Sequence, residues 1–432
     1  MIITEEMKKA IELIESTNES IYITGKAGTG KTTFLKYITD NLAKNFIITA
    51  STGIAAINAG GVTLHSLFSI PFSIIDPNEP VKKSDCKGME VTDNIDVLVI
   101  DEISMVRPDT IDYIDKKLQK HRGNDLPFGG IQVIMFGDLY QLPPVVKADD
   151  AKIINQFYRA PYFFYAQVFK RNGFHVVELN HVFRQSDPDF VRILNNIRNY
   201  QSTEQDMDEL EGTRNYNASH NYDNGYIHIC SLRKDVIEIN NKMLGEPTHV
   251  FCASIKDDFN TNSMPCEPKL SLRVGARVMT IANRHGEYYN GSLGYVTNIN
   301  WNHITVKLDN GNIVDIERYE WVEYKYAMED GKMKKQVKGR CVQFPLTLAW
   351  AITIHKSQGL TFDKVVLHIR QIFSSGQLYV GLSRCTSLKG VVTDVFVDKK
   401  HILPNPELLR FEKMYKENGN KFDMESYKLM RK

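Results

Sequence analysis

Gly25-Lys26-Ala27-Gly28-Thr29-Gly30-Lys31-Thr32 follows the apolar run Ile21-Tyr22-Ile23-Thr24 and opens the stretch KTTFLKYITDNLA. Strand, glycine-rich turn and helix come in the order that the pattern G-x-x-x-x-G-K-[ST] requires, and every fixed place is filled. Gly25, Gly28 and Gly30 let backbone N–H groups turn inward around phosphate oxygens. The helix that follows presents its positive end to the same anion. Lys31 is a compact cation for β- and γ-phosphates, and Thr32 offers a hydroxyl to Mg²⁺. The stretch reads as an ATP-phosphate site.

Outward from this loop the pattern repeats. Residues 4–16 read as a helix, with Met7, Ile11, Leu13 and Ile14 at near-helical spacing. Further strands are expected at 46–49, at DVLVI before Asp101 and at IQVIMF ending at Phe136. Apolar strands alternating with helices predict a mainly parallel α/β sheet covered on both faces. Ligands of such sheets bind at the carboxyl ends of the strands. That is where GKAGTGKT, DEIS and GDLYQLPPV fall. The alternation restarts near Gly225 with YIHICS, KDVIEINNKML and KVVLHI. Between 274 and 343 short alternating runs and the pairs Asn290-Gly291 and Asn310-Gly311 predict hairpins and a small inserted β-barrel. The polar stretch 200–224 reads as a surface connection, and the tail from Leu408 as an exposed, charged helix.

The composition of the 432 residues is that of an ordinary globular chain: 42% hydrophobic and 24% charged. A net charge of +1 means that any nucleic-acid site must gather its cations locally. Six cysteines without a CxxC pair are expected to be reduced and mostly packed. The amphipathic, acid-bearing N-terminus is not signal-like, and no apolar run approaches the ~20 residues of a membrane span. A soluble cytoplasmic protein, nucleoid-associated in a bacterium, is the expectation.

Five side chains outside the loop are candidates for chemistry. Asp101, at a strand end, fits a magnesium partner, and Glu102 beside it fits the base that activates water; an acidic cap for the helix near Pro108 is the alternative. Gln141 in GDLYQLPPV can sense a γ-phosphate without quenching a lysine, or can simply fill a turn before Pro143-Pro144. Arg184 in VFRQ and Arg384 in YVGLSRCTS fit arginine fingers worth ~10³–10⁵ in rate, or structural ion pairs. His65 and His355 read equally as hydrogen-bonded structural residues. HKSQG, from His355 to Gly359, suits phosphate contact at a loop–helix junction. Phe68 and Phe72 either stack on bases, at ~1–3 kcal/mol each, or pack a small core.

The whole set resembles the Pif (petite integration frequency) family of superfamily-one 5′→3′ DNA helicases. GKAGTGKT, STGIAA, TLHSLF, VLVIDEISM, GDLYQLPPV, LNHVFRQ, VGARVM, LAWAITIHKSQGLTFDKVV and LYVGLSRC match its ordered motifs, and the stretch 115–145 resembles the family's own signature. The likeness runs from Thr4 to about Gly390 and suggests a bacterial or phage-like minimal member. It implies two RecA-like P-loop domains, 1–178 and 179–273 with 344–432. A strand-separating wedge at 64–80 and an SH3-like barrel at 274–343 are implied insertions. It implies ATP and Mg²⁺ as cofactors, with nucleotide held by Gly25, Ala27, Gly28, Thr29, Gly30, Lys31, Thr32, Thr33 and Gly359, and metal by Thr32 and Asp101. Glu102, Gln141, Arg184 and Arg384 take the catalytic roles. Thr52, Gly53, Thr63, His65, Phe68, Phe72, His355 and Lys356 take the nucleic-acid contacts. Single-stranded and 5′-tailed duplex DNA are the implied partners, with G-quadruplex DNA a further candidate, for a protein monomeric in solution and a candidate for self-association on DNA. One departure stands out: Met7 in ITEEMKKA replaces the family's adenine-reading glutamine, so ATP and GTP are expected to be poorly distinguished. A switch-like DNA remodeller, an RNA track and a P-loop phosphotransferase are the rival readings.

Overall fold

Alternate residues of each central strand point to opposite faces, and two hydrophobic cores follow from that period of two. Ile21, Ile23, Val97, Val99, Ile134 and Phe136 join one core with Met7 and Ile14 of helix Glu5–Ser16 and Phe34, Leu35 and Ile38 of helix Lys31–Asn41. Tyr22, Leu98, Ile100, Val133 and Met135 face the other core, with Ile111, Ile114 and Leu118 of helix Pro108–Arg122. The computed structural model describes residues 2–71, 73–146, 148–183, 187–222, 225–261, 264–284, 287–329 and 332–423.

The first sheet has the spatial order Lys421–Phe422, Phe174–Leu179, Ile21–Gly25, Gln132–Gly137, Val97–Asp101, Phe46–Ala50, Val62–Thr63. All neighbours are parallel except the first pair. The second sheet is wholly parallel, in the order Ala351–Thr353, Ile227–Cys230, Val365–His368, Val391–Thr393. Two parallel sheets, each with its own buried core, give the expected α/β class with two RecA-like halves.

Two boundaries differ from the sequence reading. The C-terminal tail was expected to be exposed helix of the second domain. Instead helix Pro406–Glu417 buries Leu408, Phe411, Met414 and Tyr415 in the core of the first sheet. Strand Lys421–Phe422 then pairs with Phe174–Leu179. The apolar spacing Leu408, Phe411, Tyr415 makes one face of that helix, and its charges lie on the other. Residues 424–432 of that expected helix lie outside the described residues.

The expected barrel at 274–343 resolves into two antiparallel units. One is a five-stranded sheet, Ile313–Glu317, His303–Leu308, Leu293–Ile299, Arg277–Thr280 and Leu346–Leu348. The other is the long hairpin Tyr319–Glu329 with Lys332–Gln343, joined by Ser254–Asp257 from upstream. The hairpin's strands, of 11 and 12 residues, are longer than the seven-residue Leu293–Ile299 of the five-stranded sheet. The hairpin runs back against helix Leu64–Phe68 and the turn Glu90–Thr92 of the first domain. Five of the six cysteines are buried and all are free, as expected. Among the described residues no helix is long and apolar enough to cross a membrane.

Candidate functional site

The P-loop leaves the first strand at Gly25, where an added Cβ would meet Thr29 Oγ1 at 2.6 Å and Leu179 O at 2.7 Å. Gly28 and Gly30 take φ of 81° and 80°, the left-handed region that turns the amides inward. Helix Lys31–Asn41 starts with no side-chain cap. Its first N–H groups therefore suit an anion. Lys31 Nζ folds back onto Gly25 O at 2.7 Å and Lys26 O at 3.1 Å. Burial holds its ammonium below the ordinary lysine range, against the pull of Asp138 and Glu102. Thr29 is buried and donates to Lys26 O, while Thr32 and Thr33 are exposed on the helix's first turn. A phosphate chain fits this cradle, and Thr32 with Asp101 fits the few protein oxygens that a magnesium ion bound to phosphates keeps.

Asp101 closes strand Val97–Asp101 and accepts from Glu102 N at 2.9 Å. Glu102 is held at φ 51°, ψ 45°, a costly conformation for a non-glycine residue and one that concentrates at active sites. Burial, and then the charge of Asp101, push the Glu102 carboxyl up to about 7. That value suits a group that must take a proton near neutral pH. Burial raises Asp101 as well.

Gln141 is buried, and its Nε2 faces Asp138 Oδ2 at 3.4 Å. Three groups from beyond residue 178 meet the P-loop and the loop that carries Asp138 and Gln141. Tyr379 Oη accepts the Ala27 amide at 2.9 Å. Gln358 Nε2 donates to Gln141 Oε1 at 3.1 Å and stands 3.5 Å from Glu102 Oε2. Arg198 Nη2 donates to Asp138 Oδ1 at 3.2 Å, with its guanidinium 4.2 Å from the centre of the Tyr140 ring. Arg384 is buried nearby and donates to Val380 O, Ser357 O, Leu360 O and Ser383 Oγ. Arg184 lies outside the described residues. Asp138 and Tyr379 sit in the motifs GDLYQLPPV and LYVGLSRC without having been singled out. Arg198 ends an ordinary amphipathic helix and carried no sequence signal.

The residues expected to touch a strand divide. Thr52 follows the carboxyl end of strand Phe46–Ala50 and Thr63 ends strand Val62–Thr63; both cap helices, accepting from Ala55 N at 3.3 Å and Ser66 N at 3.1 Å. Gly53 opens the first of these helices. His65 is half-buried in a small pocket with Ser51, Arg107, Thr110, Pro144 and Val145. His355 and Lys356 are exposed on the one-turn helix Ile354–Ser357, and Gly359 follows at φ 82°. Phe68 is a correction: it is fully buried in the core of the first sheet and cannot stack on a base without leaving it. Phe72 lies outside the described residues.

A P-loop on one parallel-sheet domain, completed by amide, hydroxyl and guanidinium groups from a second, defines a two-domain P-loop nucleotide hydrolase. Comparison with known proteins makes this specific. The family model for PIF1-like helicase matches residues 2–208. The ATP-dependent DNA helicase Pif1 of Bdellovibrio bacteriovorus is 31% identical over 427 residues, covering 96% of this chain and 92% of that protein. The chain belongs to the PIF1-like helicase family. Pif1 from a Bacteroides species in complex with ADP-AlF4 is 51% identical, with a TM-score of 0.92 over 98% of this chain and 99% of that one. The Bacteroides helicase in complex with ADP-AlF3 and single-stranded DNA has the same identity and coverage but a TM-score of 0.72. The parts of this chain are therefore arranged as in the first of these two structures.

Proposed function

We propose that this chain is an ATP-driven motor that moves 5′→3′ along single-stranded DNA and separates duplex ahead of it. The observation that carries the reading is the reach of Gln358 across the cleft to Gln141 and Glu102, with Arg384 behind it. Hydrolysis at such a split site changes how two domains are held, which is what a motor needs.

In this reading Lys31 leaves the Gly25 and Lys26 carbonyls for the β- and γ-phosphates of ATP. Thr32 and Asp101 would hold magnesium, which when bound would supply positive charge at the phosphate oxygens. Glu102 accepts the proton of the attacking water. Gln141 orients that water and senses the γ-phosphate. Arg384 exchanges its present partners for phosphate oxygens as the cleft closes, and Arg184 takes the second arginine role that the resemblance implies. Thr52, Thr63, His65, His355 and Lys356 grip the strand backbone, so binding should weaken steeply with salt. Strand Tyr319–Glu329, where it meets helix Leu64–Phe68, is the natural place for the duplex to part.

The test is steady-state ATPase with and without single-stranded DNA, for the wild type and Lys31→Ala. DNA-stimulated hydrolysis that Lys31→Ala abolishes, while DNA binding survives, is the expected outcome. Hydrolysis indifferent to DNA would favour a phosphotransferase.

A further inference from the structure

Among the described residues, Gln358 is the one side chain that joins the expected strand site to the hydrolytic carboxylate by direct contact. It ends helix Ile354–Ser357, the turn that carries His355 and Lys356. That turn is fixed at both ends: Thr353 Oγ1 accepts Lys356 N at 3.1 Å, and Gln358 N donates to His355 O at 3.3 Å. A turn this short moves as one piece, so a displacement of Lys356 is a displacement of Gln358. The same turn supplies Ser357 O to Arg384 at 3.3 Å.

At its far end the Gln358 amide donates to Gln141 Oε1 and faces Glu102 Oε2. Those two oxygens are the acceptors that an attacking water needs. A donor placed on them competes with that water, and the competition takes place in a partly buried site, where a hydrogen bond counts for more than in bulk water. Gln141 is held from behind by Asp138, itself paired with Arg198, so its carbonyl oxygen stays presented to Gln358.

We propose that Gln358 is a positioning residue that restrains Glu102 and Gln141 while the strand site is empty, and that seating single-stranded DNA on the 354–357 turn withdraws it. This rests on the reading of the site given above and adds the link by which DNA governs the hydrolysis rate. Losing one shared hydrogen bond changes an equilibrium by about 2- to 10-fold, which sets the size of the expected effect.

The experiment compares Gln358→Ala and the near-isosteric, non-donating Gln358→Met with the wild type. It measures kcat and KM for ATP with and without oligo(dT), oligo(dT) affinity by fluorescence anisotropy, and the thermal midpoint. Both variants should raise DNA-free kcat about 2- to 10-fold and lower the stimulation by oligo(dT) by the same factor, with KM little changed. A stimulation factor equal to wild type in Gln358→Met overturns the proposal. So does a fall in kcat that is the same with and without DNA, which would place Gln358 in hydrolysis itself. A change in Gln358→Ala that Gln358→Met does not share would make packing, not donation, the cause and also overturns it. If wild-type ATPase ignores oligo(dT), the motor reading fails instead, a result visible without either variant.

Discussion

Replacing Asp138 by alanine should destabilise the protein by about 3–5 kcal/mol, the cost of leaving a buried charge without its partner. Asp138 comes from the loop after strand Gln132–Gly137, and Arg198 from helix Pro188–Arg198, which packs in the second core. Their side chains are 0% and 4% exposed, and the contact is 3.2 Å. Asp138 also accepts from Tyr140 N at 3.1 Å and faces Gln141 Nε2. Truncation therefore leaves a guanidinium whose Nε already has no partner among the described residues. The Tyr140 face stays beneath it, worth about 0.5–2 kcal/mol and too little to compensate. Removing both charges in Asp138→Leu/Arg198→Met should cost less than Asp138→Ala alone. Urea unfolding followed by far-UV circular dichroism measures these differences, and the set with Arg198→Met completes a double-mutant cycle. The pair bridges two domains, so the first unfolding transition is the one to compare. A cost below about 1 kcal/mol for Asp138→Ala, or a double variant no more stable than the single, would refute the reasoning.

Other outcomes follow from the same geometry. The acid limb of kcat/KM against pH should fall below about 7, because burial and Asp101 raise the Glu102 carboxyl and a protonated carboxyl cannot accept a proton. Glu102→Gln should lower kcat by roughly 10²–10⁴ and abolish that limb; a limb that persists in the variant would assign it elsewhere. Phe68→Ala should cost about 3–5 kcal/mol of stability, as for a buried aromatic, with DNA affinity unchanged; weaker DNA binding at an unchanged unfolding midpoint would restore the stacking role. Met7 is 1% exposed and packs against the first sheet, so kcat/KM for ATP and GTP should agree within a few-fold, and a strong ATP preference would reveal another adenine contact.

What the sequence made legible was what a local pattern dictates. Strands Val97–Asp101 and Gln132–Gly137 are buried at every position, and residues 97–100 and 133–136 of them appear as unbroken apolar runs stopping at a polar motif. The P-loop and the Asp101-Glu102 pair are contiguous in the chain and needed no tertiary information. The rest depended on which surfaces meet. Helix Pro406–Glu417 shows its apolar face in the spacing of Leu408, Phe411 and Tyr415, but nothing local says that this face covers the first sheet. Gln358 and Gln141 stand 217 residues apart, and their contact exists only because two domains close on one another. Phe68 lies in a segment whose Phe, Pro and Ile suit either an exposed wedge or a packed one, and its burial decides between them.

The central claim, that ATP hydrolysis at the Lys31 site drives directional tracking along DNA, is tested most directly by unwinding of matched duplexes with a 5′ or a 3′ single-stranded tail. ATP-dependent separation of the 5′-tailed duplex is expected, with little of the 3′-tailed one and none of either with Lys31→Ala. Equal unwinding from both tails, or unwinding that survives Lys31→Ala, would contradict it.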